Sequence, residues 1–154
     1  IIASMATLIY ACSGGGENKS ANGTDNKTSD LFKEEKPNPA DAAKGIGKFT
    51  KVEIAANLDE KLATAGKGVF DLKCSACHKL TAEKLVGPGW SGVTKRRTPE
   101  WIMNFATNTD EMINKDPAAQ ALLEICLVRM PNQSLSDEDA RNVYEFQRKN
   151  DGVK

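Results

Sequence analysis

The chain has 154 residues, enough for one small domain with added segments but not for two full domains. Hydrophobic residues make up 40% and aromatic residues only 6%, a thin supply for a protein core, so some other source of apolar volume is expected. With 21 basic and 21 acidic residues the formal charge is zero, which excludes the basic balance of a nucleic-acid binder and gives no reason to expect a generally anionic partner.

Residues 1–11 (IIASMATLIYA) are apolar, uncharged and too short to span a bilayer, so they read as the apolar region of a secretory signal. No basic stretch precedes Ile1, so a truncated start is expected. Ile9-Tyr10-Ala11-Cys12 resembles the lipobox of an exported bacterial lipoprotein, whose cysteine is acylated and becomes the mature N-terminus. Tyr10 departs from that pattern, and a plain signal peptide with an incidental Cys12 is the alternative. Either reading implies export, and the protein is expected on the periplasmic side of a bacterial membrane.

Residues 13–57 are rich in Gly, Asn, Ser, Thr, Asp and Lys, with Pro37 and Pro39, and have almost no large apolar residue before Phe49. Such a composition buries too little surface to offset its ordering entropy, so 13–57 is expected to be a disordered tether. As a coil of about 45 residues it would span some 35–40 Å on average. The weak apolar stretch Ile46 to Ile54 leaves local packing open.

The domain is expected over 58–154. Asp59 is placed to cap a helix through Leu62, Gly66, Val69 and Phe70 to Cys74, with apolar positions three and four apart. Glycine is costly inside a helix, so Gly66 predicts a close crossing by another helix, for which the C-terminal one is the candidate. Leu85 to Trp90 is a loop dense in Gly and Pro. Thr98-Pro99 starts a second helix, Pro99 to about Ala106, and Asp116-Pro117 a third, to Leu127. Ser136 caps a last helix with Asp137, Glu138 and Asp139 at its positive end and Arg148 and Lys149 near its close. No strand-like alternation and no internal repeat occur, so the fold class is all-α.

Cys74-Ser75-Ala76-Cys77-His78 carries the chemistry. Two thiols three positions apart with an imidazole directly after form the C-x-x-C-H spacing of c-type haem attachment: two thioethers reach the vinyl groups of one porphyrin edge while the histidine ligates iron. A zinc site needs four ligands, and only Cys12 and Cys126 remain, with no second histidine. A redox dithiol needs a βαβ setting, whereas the flanks here are helical. Cys126 lies in the apolar run Ala121 to Val128 and reads as a buried, inert thiol. Between Lys67 and Arg97 seven basic residues face two acidic ones, an excess of 7 − 2 = 5 that is either solvated surface or a docking face around the haem edge.

Gly66-x-x-x-Phe70-x-x-x-Cys74-Ser75-Ala76-Cys77-His78 resembles the N-terminal helix of the class I cytochromes c, whose glycine and phenylalanine face the C-terminal helix. The resemblance covers about residues 58–152. It implies about four short helices around one covalent haem c, with the N- and C-terminal helices crossing and Val143, Tyr144 and Phe146 supplying the opposing contacts. Gly87-Pro88 is similar to the family's loop, in which the Pro88 carbonyl would accept from the ligand histidine. Met130-Pro131, 130 − 78 = 52 residues beyond His78, is similar to the family's Met-Pro ligand loop and makes Met130 the expected sixth ligand. Met112 and an open iron are the alternatives. Arg96, Arg97 and Trp90 are candidates for contacts to the haem propionates.

His/Met ligation raises the reduction potential and leaves no position for a substrate. The expected function is electron transfer by a membrane-tethered monohaem cytochrome, not an enzyme, relaying electrons between a donor and a respiratory oxidase or reductase, with no nucleic-acid partner and no small-molecule substrate. The alternatives are a haem enzyme or gas sensor with an open sixth site, and a fixed haem subunit of a larger redox complex.

Overall fold

The computed structural model describes residues 43–154. The expected signal segment, Cys12 and residues 13–42 of the expected tether lie outside the described residues. Six helices follow: α1 (Glu60–Lys73), α2 (Val93–Arg96), α3 (Pro99–Thr107), α4 (Thr109–Lys115), α5 (Pro117–Cys126) and α6 (Asp137–Asn150). Among the described residues there are no strands; one isolated antiparallel bridge pairs His78 with Lys84.

Capping chemistry sets the helix starts. Asp59 accepts from the Lys61 and Leu62 amides, each at 3.0 Å, Thr98 from Trp101 and Asp116 from Ala119, and Pro99 and Pro117 occupy first-turn positions where no amide bond is lost. Ser136 and Asp139 form a reciprocal capping box at α6. α2 and α4 are additional to the helices expected. Neither has a side-chain cap bond, and Asn108 closes α3 and opens α4 at once, so no start signal separates them in the sequence.

α1 and α6 cross at Gly66. A Cβ there would collide with the Asn142 carbonyl and come within 2.9 Å of the Phe146 Cβ, so only glycine lets the two backbones approach this closely. Phe70 packs against Phe146 with ring centroids 5.5 Å apart, and Val143 joins that cluster. Tyr144 does not supply the contact expected of it. One residue along a helix turns the side chain by about 100°, and Tyr144 falls in a second cluster with Trp101, Ile102, Met103, Met112, Ala119 and Ala140.

The boundary expected at residue 58 falls too late. Residues 43–57 form a strap across the second cluster, where Ile46, Phe49, Val52 and Ile54 pack. Its backbone polar groups are paired from the helices. Asn104 accepts from the Phe49 amide at 2.9 Å and donates to the Lys44 and Phe49 carbonyls, and Glu100 accepts from the Val52 amide at 2.8 Å. Arg148 donates to the Ala55 and Ala56 carbonyls at 2.8 and 2.9 Å, and the fully buried Glu145 pairs with Arg148 while accepting from the Asp59 amide. Composition hid this because the partners are not in the strap; they are polar side chains on α3 and α6.

Candidate haem site

The chain after α1 turns sharply, and the Cys77 carbonyl accepts from the Val86 and Gly87 amides at 3.2 and 2.9 Å, folding the 78–87 loop back on the C-x-x-C-H turn. The Pro88 carbonyl thereby reaches His78 Nδ1 at 2.9 Å. A carbonyl only accepts, so Nδ1 carries the hydrogen and the neutral ring presents its lone pair at Nε2. Burial lowers the His78 pKa, outweighing the opposing effect of the Pro88 bond, and so favours that neutral, ligating form. Gly87 lies close against the ring: a Cβ there would collide with Cε1 and lie 2.8 Å from Nδ1 and 2.9 Å from Nε2. Trp90 stacks obliquely on His78 at 5.6 Å and on Phe70 at 4.8 Å.

A largely apolar cavity opens against this turn. Its wall includes Cys74, His78 and Pro88 from the first half of the domain, Val93, Arg96 and Arg97 from α2 and its end, Cys126, Val128 and Met130 from α5 and the loop after it, and Val143 and Gln147 from α6. Asp151 holds α2 in place by accepting from the Gly92 amide at 2.5 Å and the Thr94 amide and hydroxyl at 2.9 and 2.7 Å. Burial pushes the Cys74 thiol up to about 11, ahead of the opposing pull of Lys73.

The expected site residues are therefore gathered with one exception. Cys74, His78, Pro88, Trp90, Arg96, Arg97 and Met130 all line the cavity, while Cys77 is half-buried in the turn and contributes no part of the wall. Arg96 donates to the Ser91 carbonyl at 2.7 Å, and the Arg97 guanidinium lies over the Trp101 ring at 4.5 Å. Met130 is the one methionine of the wall among the described residues. Met112 is fully buried elsewhere, its sulfur accepting from the Ile46 amide at 2.9 Å, and Met103 is also core.

Two wall features fit a haem. The lining is mainly hydrocarbon, as a porphyrin requires, and a porphyrin held there would supply the apolar volume that the composition lacks. Gln147 is a buried wall residue whose Oε1 has no partner among the described residues, so a polar atom awaits a partner from the cavity's occupant or its bound water. Sequence reasoning missed Gln147. Its place on the face of α6 shared with Ala140 and Val143, seven and four residues back, was the available signal.

The cytochrome c family model matches residues 63–150. Among solved structures, a cytochrome c from Rhodothermus marinus is 35% identical with a TM-score of 0.70, covering 74% of this chain and 97% of its own. Two structures of one engineered cytochrome c from Rhodothermus marinus, Rma TDE, are each 34% identical, cover 74% of this chain and 98% of their own, and have TM-scores of 0.69 and 0.66; the second is bound to a carbene intermediate. A comparison with curated proteins finds no match.

Proposed function

Because the chain belongs to the cytochrome c family, we propose that Cys74 and Cys77 hold its haem through thioethers, that His78 and Met130 are the axial ligands, and that the protein is a membrane-tethered electron carrier. The family binds covalently attached haem c and serves haem-based electron transfer. Haem c supplies a one-electron couple at its iron, and His/Met ligation sets that couple at a raised potential.

The protein's own residues hold and insulate that couple. Pro88 fixes the tautomer and ring plane of His78, and Gly87 leaves the ring the space it needs. Phe70, Trp90 and Val143 exclude water from the His78 side. Among the described residues Arg96 and Arg97 retain guanidinium donors with no partner, in a cavity wall where they suit propionate carboxylates. The observation that carries the ligand assignment is Met130 sharing the cavity wall with His78 while Met112 is committed to Ile46.

The test is optical and electrochemical. Ferric protein should show the weak near-infrared charge-transfer band of methionine ligation, and Met130→Ala should abolish the band and lower the potential. Rapid carbon monoxide binding by the reduced wild-type protein at neutral pH would overturn the carrier reading in favour of an open-site haem protein.

Anchoring is proposed through acylated Cys12, on the periplasmic side of a bacterial membrane. The lipobox resemblance supports it, and partition of the full-length protein into detergent, lost in Cys12→Ser, tests it. The proposed partners are a respiratory donor and a terminal oxidase or reductase, met transiently. Docking should then weaken as salt rises.

A further inference from the structure

Resting on the reading of His78 and Met130 as axial ligands, we propose that Arg129 is a positioning residue for Met130. Its guanidinium, clamped to α4, holds the methionine's loop against the cavity and so resists displacement of the sulfur by outside ligands.

The loop has little of its own to hold it. Residues 127–136 join α5 to α6. None of them is buried, and neither core cluster draws a residue from them. Between 128 and 135 the backbone exchanges no hydrogen bond with other backbone among the described residues. Two bonds stay inside the loop, from Gln133 Nε2 to the Pro131 carbonyl at 3.1 Å and from the Ser134 amide to Asn132 at 2.8 Å. Leu127 and Ser134, with φ of 59° and 50°, are the non-glycine residues in the left-handed region among the described residues, and they bracket Met130. Strained backbone persists only where its surroundings over-determine it. The restraint must therefore come from outside the loop.

Arg129 supplies it. Its Nε donates to Asp110 Oδ1 at 3.3 Å, and its Nη2 is shared among Asp110 Oδ1 at 3.1 Å, the Asp110 carbonyl at 3.2 Å and Asn114 Oδ1 at 3.0 Å. α4 is a firm platform, because Thr109 and Met112 are fully buried and Ile113 lines the same cavity as Met130. Elsewhere among the described residues, the side-chain bond reaching residues 128–135 from the rest of the domain is Lys73 to the Gln133 carbonyl at 3.1 Å, three positions past Met130. Arg129 faces α4 while its neighbour Met130 faces the cavity, so the backbone that the guanidinium fixes is the backbone that presents the sulfur.

The pair is exposed, 43% for the Arg129 side chain and 64% for Asp110, and an exposed ion pair adds little to global stability. A planar fork on Asp110 and Asn114 acts on geometry instead. Its loss changes the local opening of the loop and not the unfolding of the domain.

Neutral imidazole is the probe, a nitrogen ligand able to take the sixth position when the sulfur leaves it. In titrations of the ferric holoprotein followed by the near-infrared band, Arg129→Ala should bind imidazole about fivefold or more tightly than wild type, because the competing closed loop is less populated. Its reduction potential should fall, while its thermal midpoint stays close to wild type. Arg129→Lys keeps the charge but not the fork, and should fall between the two. In a Met130→Ala background no sulfur competes, so adding Arg129→Ala should change imidazole affinity by less than about twofold. Wild-type affinity and potential in Arg129→Ala would overturn the proposal, as would an equal gain in affinity in the Met130→Ala background. The ligand reading fails on a separate readout, a near-infrared band absent from the wild-type protein or retained in Met130→Ala.

Discussion

Gly66 and Gly68 lie two residues apart on α1 and meet opposite surroundings. At Gly68 a Cβ would find nothing within 4 Å, so Gly68→Ala should raise unfolding free energy by about 0.5–1 kcal/mol through helix propensity alone. At Gly66 the same gain is outweighed by collision with the Asn142 backbone, which cannot rotate away, and Gly66→Ala should cost about 1–3 kcal/mol net. Denaturant titration of the two variants measures both signs. Gly87→Ala should act on the iron instead, tilting His78 and shifting the haem spectrum and potential with a smaller loss of stability. Tyr144 gives a pH signature: burial holds its phenol above the ordinary 10.0, against the smaller pulls of Arg148 and Arg141. As pH rises past about 10 the unfolded chain loses the phenolic proton first and binds fewer protons than the folded one, so stability falls from there upward. Tyr144→Phe should flatten part of that fall in denaturation series across this range.

Elements with a chemical start signal were legible in the sequence, and those without one were not. Asp59, Thr98-Pro99, Asp116-Pro117 and Ser136 marked four helices because a side-chain oxygen or a proline ring acts locally. α4 begins on Asn108 with no side-chain cap bond, and the strap has no periodicity of its own, so both depend on tertiary partners that no local window shows. The strap should respond accordingly. Asn104→Ala removes the partners of the Phe49 amide and of the Lys44 and Phe49 carbonyls, at a cost of about 2–3 kcal/mol, and hydrogen exchange at Phe49 should accelerate more than exchange in α1. Of the site, the motif, Pro88 and Met130 could be read from spacing and resemblance, whereas Gln147 could not, since its significance is a buried oxygen left without a partner.

At the scale of the molecule, the cavity draws its wall from segments spread over the domain, so haem retention and folding are expected to be coupled. Arg148 and Glu145 tie α6, which supplies part of that wall, to the start of α1 and the end of the strap. Arg148→Ala leaves Glu145 with Arg141 as its countercharge and the Ala55 and Ala56 carbonyls without their donor, and should lower stability by about 2–3 kcal/mol, read as a fall in thermal midpoint of the holoprotein. Lys48 and Lys51 are cleavage sites for trypsin by side chain, but a protease must accommodate extended backbone on both sides of the bond it cuts. Phe49 and Val52, beside them, have their amides engaged by Asn104 and Glu100, and Lys48 is itself paired with Asp137. Limited digestion should therefore spare both bonds, and the smallest resistant fragment should begin well before residue 58.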